Sequence, residues 1–145
     1  MTTIRELRTE DRDAWEPLWR GYLDFYRAVV ADDVTQRTFE RVSGGDADFH
    51  GLVAVDSDGA IVGLAHAIFH PATWSAGPYC YLEDLYVSHA GRGTGAGRAL
   101  IEAVYAEADR RGAARVYWHT QEYNGAARSL YDTLAHRSSF VMYVR

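Results

Sequence analysis

The run Arg92-Gly93-Thr94-Gly95-Ala96-Gly97 has the residue types and the spacing of an anion cradle. Glycines at 93, 95 and 97 leave out β-carbons at alternate positions, so the backbone can turn tightly and aim several N–H groups into one concavity. A helix beginning directly after the run would add unpaired N–H donors and a positive partial charge at the same point. Arg92 and Arg98 can pair with further oxygens. A pyrophosphate is the expected guest. Two nucleotide-binding templates fit poorly. A Walker loop needs Gly-Lys-Ser/Thr, whereas Gly97 is followed by Arg98-Ala99; a dinucleotide fingerprint belongs after the first strand of a doubly wound sheet, whereas this run lies well past the middle of the chain. An ordinary turn into a helix is the competing reading.

The elements that must position this cradle follow from periodicity and turn chemistry. Ile4 to Leu7 reads as a short strand, and Thr9 can cap a helix whose first turn holds Glu10 and Asp11, acidic residues suited to that end of the helix dipole. Trp15, Leu18, Trp19, Tyr22, Leu23 and Tyr26 recur at spacings of three and four and form one apolar stripe, whose far end can wall a pocket. A weaker helix spans Thr35 to Val42. Phe49 to Val55 and Ala60 to His70 are rich in apolar and β-branched residues, and Asp56-Ser57-Asp58-Gly59 between them supplies the turn of an antiparallel hairpin. Tyr79 to Val87 reads as the next strand. A helix from Gly97 to Arg111 stops at Gly112; a strand from Arg115 to Thr120, a short helix from Asn124 to Leu134 and a final strand from Phe140 to Val144 follow. The order βα(α)βββαβαβ predicts a mixed α/β (α+β) fold. It has a central mixed sheet of six to seven strands flanked by about four helices, in one domain over residues 1–145.

Composition narrows the function classes. The chain has 145 residues, 48% of them apolar and 24% charged, a globular balance that supports an independent core. Its net charge of -5 argues against a nucleic-acid partner, which calls for a concentrated basic face, and suits a cationic substrate. Cys80 is the only cysteine, which excludes an internal disulfide and a cysteine-based zinc site and fits a cytoplasmic setting. The first residues are studded with charge and offer no signal peptide or membrane anchor. Six histidines are present, but His66 and His70 on one strand face would stand roughly 13 Å apart, too far to share a metal. No metal is expected.

From Leu85-Tyr86-Val87 through Arg92 to Gly97 and on to Ala99-Leu100, the sequence resembles the Arg/Gln-x-x-Gly-x-Gly/Ala acyl-CoA motif of the GNAT superfamily. Asn124, Ala127 and the pair Leu130-Tyr131 resemble that superfamily's following segment, and the element order is similar as well, so the likeness covers nearly the whole chain. The resemblance implies an N-acetyltransferase with acetyl-CoA as co-substrate. Arg92, Gly93, Thr94, Gly95, Ala96, Gly97 and Arg98 would take the pyrophosphate. Backbone groups of Leu85 and Val87, with Tyr86 between them, would bind the pantetheine amides as an added strand would. Asn124 and Ala127 would lie along the pantetheine arm and Tyr131 near the thioester sulfur.

Acyl transfer to an amine sets two proton tasks. An alkylammonium, with a pKa of about 10, must lose its proton before attack, and the departing thiolate gains from a proton donor. On a strand, alternation places Glu83, Leu85 and Val87 on one face and Asp84 and Tyr86 on the other, so one acid of the pair faces the substrate. The resemblance assigns Glu83 the role of water-linked base. Asp84 is then placed toward the substrate's cation, although either carboxylate can instead pair with an arginine. His119, at a strand end, is the alternative base and a substrate neighbour; Trp74 and Tyr81 can offer aromatic faces to an ammonium. Tyr131 lies about two helical turns from Asn124 on the same face and is the expected proton donor, ahead of Tyr123; a tyrosine packed in the core is the competing reading. Tyr81 to Val87 with Tyr117-Trp118 resembles the branch with diamine and histone-type acetyltransferases, which implies a primary amine acceptor, a small polyamine or diamine or a lysine-type amine. A non-catalytic acetyl-CoA-binding regulatory module is the alternative. A homodimer is expected by analogy, with the terminal strand as a free edge.

Overall fold

The carboxylate of Asp56 accepts from the N–H groups of Asp58 and Ala60, and Gly59 at φ +83° closes the turn, so the central hairpin is specified locally. The computed structural model describes residues Met1–Arg145. Along the chain run β1 (Thr3–Glu6), α1 (Arg12–Phe25), α2 (Asp32–Glu40), β2 (Phe49–Val55), β3 (Ile61–His70), β4 (Tyr79–Val87), α3 (Ala96–Arg110), β5 (Arg115–Tyr117) and α4 (Gly125–Leu134). The strands lie in the order β1-β2-β3-β4-β5. The first four are antiparallel neighbours, and β5 joins β4 in parallel.

Both faces of the sheet are covered because its strands alternate. On one face Leu52, Ala54, Ala65, Ala67 and Leu82 pack against Leu100, Ile101, Val104 and Ala108 of α3. On the other, Val53 and Leu64 meet the α1 stripe of Trp15, Leu18, Trp19 and Leu23, joined by Phe39 and Val42. Trp15 is fully buried, and each large side chain so placed contributes roughly 1.5–3 kcal/mol over leaving it in water.

The class is the mixed α/β one expected, with five strands where six to seven were expected. Phe140–Val144 is not a strand: it alternates as one, but no strand lies beside it and its side chains are exposed. A strand needs a neighbouring backbone, and β5 has only three residues to offer. That strand also ends sooner than Thr120. Its pairing with β4 stops at Tyr81↔Tyr117, after which the two strands part.

Candidate active site

The parting of β4 and β5 coincides with a bulge in β4. His66 pairs with Asp84 and Ala67 with Leu82, which leaves Glu83 as the extra residue. Simple alternation therefore fails here. Leu82 and Leu85 both pack on the α3 side, Tyr86 packs on the α1 side, and Glu83 steps out between them. It lines a small cleft together with Leu82, Leu85, Tyr22 and Tyr26 of α1, Trp118 and His119 beyond β5, and Tyr131 of α4. From Leu82 to Val87 the edge of β4 that faces β5 has no strand partner, so this stretch, with Leu85 and Val87 in it, can receive an extended ligand.

At the end of β4 the chain enters the glycine run. Gly93 at φ +78° and Gly95 at φ +82° adopt left-handed backbone, and Gly95 caps α3. A β-carbon at either would meet nothing within 4 Å, so the space above them is open. The N–H groups from Gly93 to Arg98 donate to no backbone carbonyl and stand at the positive end of α3. Thr94 Oγ1 donates to the Gly91 carbonyl, Ala96 is buried beneath the loop, and Arg92 Nε reaches the Val87 carbonyl at 3.4 Å. Arg98 donates to Thr133 of α4 at 2.7 Å and ties the cradle to the helix that bears Tyr131. Unpaired N–H groups and open space at the start of α3 make this turn a cradle that could hold a diphosphate.

Tyr131 is held by packing, its ring edge-on to Trp118 at 5.4 Å. Burial pushes its hydroxyl up to about 12, so it is a neutral donor at ordinary pH. Burial first, then the neighbouring Asp84 charge, raises Glu83 above the usual carboxylate range, while any charge on His66 would pull it back. A raised carboxylate is a stronger base. Asn124 Oδ1 caps α4 by accepting from the Ala127 N–H at 3.4 Å, so two of the residues expected along the pantetheine arm are bonded to each other.

The structure separates the other candidates. His119 lines the cleft, and its Nδ1 meets the Tyr81 hydroxyl at 3.2 Å; Tyr81 stacks on Tyr117 at 4.9 Å. Trp74, 77% exposed in the loop between β3 and β4, is not among the cleft residues. Asp84, expected to hold the substrate's cation, is engaged internally: its Oδ2 accepts from His66 Nδ1 at 2.8 Å and its side chain is 13% exposed. Sequence reasoning missed Leu82 and Trp118 as cleft walls. The stripe ending in Tyr22 and Tyr26 did signal a wall, and Tyr22 donates to the Glu83 carbonyl at 3.3 Å. No group of three or more His, Cys, Asp or Glu side chains is placed to hold a metal ion, and no helix is long and apolar enough to cross a membrane.

Residues 5–135 match the Acetyltransferase (GNAT) family. The chain is 36% identical over 143 residues to the D-amino-acid N-acetyltransferase HPA3 of Saccharomyces cerevisiae, covering 98% of this chain and 89% of that protein. Among solved structures, a ribosomal-protein-alanine N-acetyltransferase from Brucella melitensis biovar Abortus 2308 superposes with a TM-score of 0.81 at 24% identity, covering 100% of this chain and 99% of that one. AAC(6')-Iy in complex with the bisubstrate analog CoA-S-monomethyl-acetylneamine superposes with a TM-score of 0.85 at 21% identity, covering 100% and 97%. With its anion cradle, open β4 edge and matching family profile, the chain belongs to the GNAT acetyltransferase family and is an acetyl-CoA-dependent N-acetyltransferase.

Proposed function

We propose that this protein, as one acetyltransferase domain, moves an acetyl group to a small primary amine by direct attack in a ternary complex, with Glu83 as base and Tyr131 as acid. The carrying observation is that Glu83 and Tyr131 line the same cleft beside the open edge of β4. Acetyl-CoA supplies the activated acyl carbon. The cradle from Arg92 to Arg98 binds its pyrophosphate, and the backbone at Leu85 and Val87 orients the pantetheine arm. Glu83 takes the ammonium proton, directly or through a water; the amine nitrogen bonds to the acyl carbon as the carbon–sulfur bond breaks; Tyr131 gives its proton to the departing sulfur and regains one from the nitrogen, which sheds its second proton on becoming an amide, while Glu83 releases the first to solvent.

A cationic acceptor suits the acidic chain and the Glu83 side of the cleft, where Tyr22, Tyr26 and Trp118 supply aromatic faces. Small polyamines, diamines and lysine-type amines are the first acceptors on these grounds. The likeness to a D-amino-acid N-acetyltransferase favours a second reading in which the acceptor is an α-amino group. Release of CoA thiol with a panel of diamines, polyamines, lysine peptides and D- and L-amino acids decides between them. Tight acetyl-CoA binding with no release from any member would make the protein a non-catalytic acetyl-CoA-binding module. A cytoplasmic setting and a homodimer complete the proposal.

A further inference from the structure

A buried chain of hydrogen bonds runs from α1 through β3 to the bulge that presents Glu83. Trp15 is 0% exposed and His66 1%. Trp15 Nε1 donates to His66 Nε2 at 3.0 Å, and the other ring nitrogen, Nδ1, meets Asp84 Oδ2 at 2.8 Å. An indole nitrogen can only donate. Nε2 of His66 must therefore be the bare nitrogen, and Nδ1 carries the ring's one proton toward Asp84. The imidazole is neutral in this arrangement, so it brings no positive charge against the Asp84 carboxylate. Trp19 closes over the ring at 5.6 Å. Because His66 is also the cross-strand partner of Asp84, the same contact pins the strand immediately after the bulge.

We propose that Trp15 is a positioning residue for acyl transfer: its indole N–H fixes the neutral tautomer of His66, so that Asp84 anchors the β4 bulge as an uncompensated carboxylate beside Glu83. The proposal rests on the reading of Glu83 as the base. A neighbouring negative charge disfavours ionisation of Glu83 and so strengthens it as a proton acceptor. The titratable groups facing Glu83 are Asp84 on β4, Tyr22 and Tyr26 on α1, Tyr131 on α4, and His119 and the Tyr81 and Tyr117 pair toward β5. The phenols stay neutral where a carboxylate titrates. The charge state of His66 is the one that the indole controls.

The test compares kcat/KM for the amine against pH in the wild type, Glu83→Gln, Trp15→Phe and Trp15→Phe/His66→Gln, with 15N NMR of the histidines in the wild type. The wild-type spectrum should show His66 with an unprotonated Nε2 across the acid limb; an imidazolium or an Nε2–H tautomer there would overturn the proposal even if no variant folds. Trp15→Phe removes the donor and frees Nε2 to take a proton. The acid limb should then move down by about one pH unit, a roughly tenfold gain at acid pH relative to the variant's own plateau. Adding His66→Gln, which cannot become charged, should return the limb toward the wild-type position. A lower plateau with an unmoved limb would leave Trp15 as packing only and sink the proposal. If instead Glu83→Gln leaves the limb intact, Glu83 is not the base, and both readings fall together.

Discussion

A tyrosine can serve as an acid only if it keeps its proton until the sulfur leaves, and Tyr131, pushed up to about 12 by burial, meets that condition. Tyr131→Phe keeps the ring that packs edge-on to Trp118 and deletes only the hydroxyl. Turnover should fall by about 100-fold, the lower end of what general acid catalysis contributes, while calorimetry finds the acetyl-CoA dissociation constant unchanged. Loss of binding without loss of turnover would mark the residue as structural. Glu83 gives a prediction with a sign. Burial and Asp84 raise it, so it holds its proton to higher pH than an ordinary glutamate, and the base is lost as pH falls through that raised value. The acid limb of kcat/KM should therefore lie above the ordinary carboxylate range. Glu83→Gln should flatten that limb and lower turnover; a profile identical to the wild type would shift suspicion to His119, which lines the same cleft.

The cradle is a property of an element boundary, the turn into α3, and is tested there. Gly95→Val forces a β-branched residue into left-handed backbone and puts methyl groups into the open space above the loop. Acetyl-CoA affinity should drop at least tenfold, and the strain should cost about 1–2 kcal/mol of stability in thermal melts. Gly95→Ala carries similar strain with less bulk, so a large affinity loss in the valine variant alone identifies the filled space as the ligand's seat. Unchanged affinity in both would remove the cradle from the binding site. This turn was legible in the sequence because its signal is local: alternate glycines, then a helix. β2 and the central hairpin were legible for the same reason, since Asp56 and Gly59 specify their turn within a few residues. The bulge at Glu83 was not. It arises from the register between β3 and β4, and the partner that draws Asp84 away from the cleft, His66, lies 18 residues earlier in the chain. Alternation read within one strand cannot report a slip against its neighbour. The shortened β5 is a similar case, because its end is decided by where β4 diverges and not by its own β-branched residues.

At the scale of the molecule, the feature without a partner is the C-terminal segment. Phe140, Val141, Met142, Tyr143 and Val144 are 67% to 92% exposed, and the outer edge of β5 has no strand beside it. A strand-patterned apolar segment and an open sheet edge on one chain favour association with a second copy. Sedimentation equilibrium should find a homodimer, and Val141→Lys with Tyr143→Lys should shift it to monomer. The acetyl-CoA dissociation constant should not change, because none of these residues lines the cleft. Salt gives an independent check on what holds the pair. Each copy carries a net charge of -5, so two copies repel at long range, and screening that repulsion favours association. An apolar, strand-mediated dimer should therefore tighten as ionic strength rises, whereas one built on ion pairs should loosen. A wild-type protein that stays monomeric at every concentration and salt would rule out the dimer and leave the segment as an unpaired tail.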